Sequence, residues 1–326
     1  MEDLFPQPDL STVFRAEILA ARMEGALRAD ASLAAMWRGL ASVQEACAST
    51  WLEDLPVSPV DLLGRPFRAS LGDPDRDRAA LAGAAMLRGL HSPGPLEEQT
   101  GTVLSRLWSL SAGEGPHPFM PQDYAEIRDA MAEAPSPLLG ALAVARIVHV
   151  ATEGNAPSVE RLALVAADHA MRGSGRFMLG EAEPYDLVSA PRGAWVIQPS
   201  LALVDNGFRL WSVAHPGRVR DLLEGLTRTL DRGIAALPLL RRWLERSRDI
   251  RADAHGASRM PDLIGMLTLT PIVTGSAVAR DLNITPRGAQ KLIDQAESLE
   301  LITKITPRRT YRAWATTPFA RMLGRG

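Results

Sequence analysis

Between positions 285 and 294 the chain carries Thr285, Arg287, Gln290, Lys291 and Asp294. Spacings of three and four residues gather such side chains on one side of a helix, with Ala289 and Leu292 on the other. Arginine or lysine matches the two acceptors on the major-groove edge of guanine, and glutamine matches the acceptor–donor pair of adenine. Thr285, Arg287, Gln290 and Lys291 are therefore candidates for contacts with DNA bases. Lys304, Arg308, Arg309 and Arg312 follow closely, and Thr274 and Ser276 precede. These cations and hydroxyls are candidates for phosphate contacts, which fix register on a duplex without reading sequence.

The elements that would position these groups are legible nearby. Thr274 or Ser276 is placed to cap a short helix ending at Leu282, and Asn283 suits a turn that needs a left-handed residue. Thr285 then caps a second helix with Pro286 at its first position. Val278, Leu282, Ile284, Ala289 and Leu292 supply the apolar contacts between the two, and Ala279 is small where they approach. This is a helix-turn-helix layout, whose second helix enters the major groove. Leu301–Ile305 and Thr310–Trp314 form two β-rich runs around Thr306-Pro-Arg-Arg309 and read as a β-wing. Helical hairpins are also ordinary packing units, and winged helices also serve protein contacts, which is the competing reading.

The charge distribution bears on that choice. The 326 residues hold 36 Lys/Arg and 38 Asp/Glu, a formal charge of −2. Residues 256–326 hold ten cations and five acids, a net of +5, so an acidic body is joined to a basic end. All cations except Lys291 and Lys304 are arginine. A genome rich in G and C explains most of that bias, although it also favours planar bidentate contacts with anions.

Other chemistry finds little support. Cys47 is the only cysteine, which excludes a disulfide framework and a cysteine-based zinc site. It falls on the apolar stripe of Met36, Trp37, Leu40, Val43 and Trp51, where a buried, inert thiol is expected. The six histidines show no metal spacing, and His149 and His169 read as core residues. Gly173-Ser-Gly-Arg176 lacks the continuation of a phosphate-binding loop and reads as a helix end. No catalytic residue, metal or cofactor is expected. No run of eighteen apolar residues occurs, and an acidic start replaces an export signal, so a cytoplasmic protein without a membrane span is expected.

The first 180 residues read as helices punctuated by proline and glycine. Ser32 is the expected N-cap of the helix bearing Cys47. Further helices are expected over Asp75–Leu90, Leu96–Leu110, Gln122–Ala132, Leu138–Ala151 and Ser158–Met171, with prolines 74, 95, 121, 137 and 157 at their starts. Over 181–215, Trp195-Val-Ile and Phe208–Val213 read as short strands or buried loops. A helix returns at Val219, and Pro238 is expected to kink or end it. Residues 246–260 are charged and without period. The chain thus divides into a helical domain at 1–245, a linker at 246–257 and a winged helix-turn-helix at 258–326. The fold class is mainly α, with a small β-wing.

Two resemblances rest on particular residues. Ser258-Arg-Met-Pro-Asp-Leu-Ile-Gly265, Val278–Gln290 and Tyr311-Arg-Ala-Trp314 resemble a bacterial family of uncharacterised proteins that joins a helical N-terminal domain of unknown function to a C-terminal helix-turn-helix. Val43–Glu53 is similar to that N-terminal domain. The resemblance implies a DNA-binding transcriptional regulator. Members carry a glycine-containing basic wing, and here Thr306-Pro-Arg-Arg stands in its place. Separately, His117-Pro-Phe119 resembles the opening of the Fic nucleotidyl-transferase signature, and Ala20–Gly25 resembles the inhibitory helix of those enzymes. The glycine-rich anion nest that should follow is replaced by Met120-Pro-Gln-Asp-Tyr124. A Fic-like scaffold with a protein-binding winged helix is the alternative to a sequence-specific binder of double-stranded DNA. A homodimer is expected, and the N-terminal domain suits dimerisation or reception of a small-molecule or protein effector. Trp37, Trp51, Trp108, Trp195 and Trp211 suit either a pocket or plain core.

Overall fold

The computed structural model describes residues 10–52, 55–63, 73–92, 96–97, 99–111, 116–152, 159–173, 197–205, 219–256, 258–306 and 312–324. Among them are fourteen helices and a three-stranded antiparallel sheet near the C-terminus, so the chain is mainly α. Arg308, Arg309, Trp195, Trp211 and the Phe208–Val213 run lie outside the described residues.

Helix α2 (Ala31–Trp51) forms the centre of the N-terminal body, with Leu33, Met36, Trp37, Leu40 and Val43 all buried. Its N-cap is Asp30 rather than Ser32. The Asp30 carboxylate accepts from the N–H groups of Ser32 and Leu33, so Ser32 already lies inside the first turn. Around α2 pack α1 (Leu10–Arg28), α3 (Pro59–Leu63), α4 (Pro74–His91) and α9 (Pro199–Asp205). Helices α5 (Thr100–Ser111), α6 (Pro121–Glu133), α7 (Pro137–Ala151) and α8 (Val159–Gly173) build outward from α4 and α1. Pro74, Pro121 and Pro137 open their helices as expected, where the missing N–H costs no intrahelical bond. The helix expected from Leu96 begins only at Thr100, and Pro95 and Pro157 lie outside the described residues.

Cys47 is half-buried, and burial pushes its thiol up to about 12, which leaves it inert. His169 is fully buried with Nε2 3.0 Å from the Gly89 carbonyl, a satisfied core histidine. Trp37 belongs to the core, whereas Trp51 is exposed.

Helix α10 (Val219–Ala252) spans 34 residues and differs from the expected pattern twice. It runs through Pro238 without ending. That proline lies on the exposed face, while Leu237, Leu240, Trp243 and Leu244 hold the buried side and keep the helix packed across it. The helix also takes in residues 246–252 of the expected linker. Their charges lie on its exposed side and Ser247 is buried, its hydroxyl donating to the Trp243 carbonyl at 2.7 Å. Of that segment only residues 253–256 are described as non-helical.

The C-terminal elements are α11 (Met260–Leu269), β1 (Ile272–Thr274), α12 (Gly275–Asp281), α13 (Pro286–Ser298), β2 (Ile302–Lys304), β3 (Ala313–Thr316) and α14 (Thr317–Met322). The strand order is β1-β3-β2, with Val273 opposite Trp314 and Lys304 opposite Trp314 on its other side. This unit shares one continuous core with the N-terminal helices: α11 packs on α2, and α14 packs on α10. Trp243 Nε1 on α10 donates to the Leu301 carbonyl at 2.8 Å across the seam.

Candidate nucleic-acid interface

Thr274 leaves β1 in an extended conformation, and its hydroxyl accepts the Ala277 N–H at 3.2 Å, which starts α12. The turn that follows is closed by Leu282 N–H on the Val278 carbonyl and Ile284 N–H on the Ala279 carbonyl at 2.9 Å. Asn283 between them has φ 51°, the left-handed conformation its short polar side chain tolerates. Thr285 then accepts the Gly288 N–H at 3.1 Å and Pro286 opens α13. Val278, Ala289, Leu292, Ile293 and Ala296 are buried between the two helices and the sheet, with Ala279, Leu282 and Ile284 partly buried against them. The turn and both caps therefore stand where the residue types put them.

The face of α13 away from this core presents Thr285, Arg287 and Lys291 exposed and Gln290 half-buried. Gln290 Nε2 donates to Asp294 Oδ1 at 2.7 Å. Charge pairing separates two groups of cations. Arg259 pairs with Asp262 at 2.9 Å and Arg280 with Asp281 at 2.6 Å, which holds the Arg280 guanidinium above its usual range. Arg287, Lys291, Lys304 and Arg312 make no ion pair among the described residues. The acids nearby are engaged elsewhere: Glu300 pairs with Arg246 at 3.1 Å, and Glu297 accepts from Trp314 Nε1 at 3.3 Å. Among the described residues, the cations of α13 and of the strands after it thus keep free guanidinium or ammonium groups.

After α13 the chain turns through Glu300 at φ 56° into the β2–β3 hairpin. Beyond the strands the ladder continues, with Ile305 N–H on the Ala313 carbonyl and Ala313 N–H on Thr306 Oγ1, both at 3.0 Å. Lys304 and Arg312 are exposed on this hairpin. The expected strand from Thr310 is described only from Ala313, and Arg308 and Arg309 fall in the span that is not described. Ser276 is exposed. Thr274 is not available for the phosphate contact expected of it: it is 7% exposed and its hydroxyl is occupied with Ala277 and Ser276.

Three features escaped the sequence reading. Strand β1 completes the sheet, and Pro271-Ile-Val-Thr274, a β-branched run behind a proline, was its signal. Helix α14 ties the hairpin to α10, with the Thr317 N–H on the Leu301 carbonyl. The Gln290–Asp294 hydrogen bond was implicit in a spacing of four.

His117 in the Fic-like run has its ring 5.9 Å from that of Phe119, which is buried. Met120 and Asp123 then close the first turn of α6 through Met120 N–H to Asp123 Oδ2 at 2.6 Å. Among the described residues no group of three His, Cys, Asp or Glu could hold a metal, and no helix is long and apolar enough to cross a membrane.

Residues 260–316 match the family model of a helix-turn-helix DNA-binding domain. The matched span opens with α11 and closes with β3, so it covers the whole unit built around α12 and α13. No curated protein matches the chain at a significant level.

Proposed function

We propose that the protein is a sequence-specific binder of double-stranded DNA and a transcriptional regulator, acting by recognition rather than catalysis, without a cofactor and in the cytoplasm. The observation that carries this reading is the exposed face of α13, where Arg287 and Lys291 stand unpaired inside a helix-turn-helix match. Thr285, Arg287, Gln290 and Lys291 read base edges in the major groove. Ser276, Lys304, Arg308, Arg309 and Arg312 hold phosphates beside it, the hairpin serving as the wing. Two protomers bind two half-sites about one helical turn apart. The N-terminal helices supply the dimer contact or the effector site.

The test is a gel shift of the full chain with a random duplex pool across a salt series. Each phosphate contact contributes about −0.9 to the slope of log affinity against log salt, so the four cations predict a slope of about −4 for one protomer and about −7 for two. Arg287→Ala costs about 1–3 kcal/mol and relaxes preference at one position. Absence of any shift at low salt refutes DNA binding and leaves the winged helix as a protein-contact module.

A further inference from the structure

The Gln290–Asp294 pair has a consequence for base selection that rests on the DNA-reading face proposed above. A glutamine amide presents a carbonyl oxygen on one side and an N–H₂ on the other, and a free side chain can turn either toward a base. An ionised carboxylate can only accept hydrogen bonds, so the group facing Asp294 Oδ1 at 2.7 Å must be the Gln290 nitrogen. That contact fixes the amide's orientation and occupies one of its two hydrogens. What remains is Oε1 and a single N–H, one acceptor beside one donor. Adenine offers the complement in the major groove, a donor at N6 and an acceptor at N7, whereas guanine offers two acceptors there.

We infer that Asp294 is a positioning residue that fixes the amide of Gln290 and so makes it an adenine reader. Its place on α13 suits this role. It lies one turn beyond Gln290, near enough to bond its amide and farther from the leading end of the helix, where Thr285, Arg287 and Lys291 stand. Its side chain is exposed and contributes nothing to the apolar contacts of Ala289, Leu292 and Ile293, so substitution there leaves the fold intact. A charge-only role for Asp294, repelling phosphates, would change affinity for every sequence alike and leave base preference untouched.

The experiment is selection from a random duplex pool by the full chain, comparing wild type with Gln290→Ala, Asp294→Ala and Asp294→Asn. Wild type is expected to prefer adenine at one position by about tenfold. Gln290→Ala and Asp294→Ala both bring that position to near-equal use of bases, with the rest of the motif retained. Asp294→Asn, which loses the charge and keeps an acceptor oxygen, retains the preference. If Asp294→Ala keeps the adenine, if Asp294→Asn loses it as fully as alanine does, or if Gln290→Ala changes no position, the positioning role is overturned. A wild-type protein that selects no motif would instead defeat the DNA-reading proposal itself.

Discussion

Replacing Gly39 by alanine tests the packing that joins the helix-turn-helix unit to the rest of the chain. Gly39 sits inside α2, and a Cβ placed there would lie 2.5 Å from the Leu269 carbonyl oxygen and 3.2 Å from its carbon, at the end of α11. Contacts under 3.0 Å are essentially never tolerated, and the obstacle is backbone, so one helix must retreat from the other. Two effects oppose each other. Alanine gains up to about 1 kcal/mol in helix propensity, while overpacking of this kind costs about 1–3 kcal/mol. A rigid carbonyl places the cost at the upper end, for a net destabilisation of about 1–2 kcal/mol. Gly25 is the control: it lies in α1, exposed, and a Cβ there would meet nothing within 4 Å. Gly25→Ala should therefore show the propensity gain alone, about 0.5–1 kcal/mol of added stability. Urea unfolding of the full chain, followed by tryptophan fluorescence, measures both. If Gly39→Ala is as stabilising as Gly25→Ala, the close approach of α2 and α11 is wrong.

Three further perturbations probe other parts of the same structure. Trp243→Phe removes the donor to the Leu301 carbonyl in a buried seam, and thermal unfolding should show a loss of about 1–3 kcal/mol; an unchanged midpoint would mean the seam bond contributes nothing. Thr285→Ala removes the N-cap of α13 and should cost about 0.5–2 kcal/mol, with faster amide exchange at the start of that helix; unchanged exchange at Arg287 and Gly288 would refute the capping role. Glu45 is fully buried, accepts the N–H groups of Ser200 and Leu201, and has its carboxyl pushed up by burial from an ordinary 4.5 to about 7. The folded chain holds that proton more tightly, so the contribution to stability is full below pH 4.5 and is lost as pH rises through about 7, by roughly 3 kcal/mol. Burial also raises Glu17 and Glu24, so the comparison is between wild type and Glu45→Gln at pH 5 and pH 8, and equal pH dependence in the two proteins would refute the assignment.

What the sequence made legible was local. Thr285-Pro286, Asn283 and the apolar spacing of Val278, Ala289 and Leu292 act within a few residues of one another, and the structure places each as expected. Partners distant in sequence were not legible. Glu45 meets the start of α9 across about 155 residues, and no local pattern marks a glutamate as the cap of another helix. Strand β1 exists because β3 pairs with it, and the β-branched run that signals it is too short to declare a strand without that partner. Ser32 and Asp30 are both capping types, so the choice between them needed the helix start itself. The apparent linker misled for a different reason. A helix that packs along one narrow stripe needs an apolar or small residue only once per turn, so Arg246, Arg248, Asp249 and Arg251 can surround the buried Ser247 without showing a period.

A helix in place of that linker changes how the two halves of the chain are joined. A flexible tether would let the helix-turn-helix move independently of the N-terminal helices. Helix α10 removes much of that freedom. Its length packs on α1, α2 and α9, while α11 and α14 also rest against it and Trp243 is bonded to Leu301 at the foot of the hairpin. On the α2 side, Arg248 lies 3.7 Å from Asp30, the residue that caps that helix, and Gly39 admits the end of α11. Packed helices resist continuous deformation and shift instead between discrete arrangements. A shift of α2 or α10 would therefore be felt by α11 and the hairpin, the elements that flank α13.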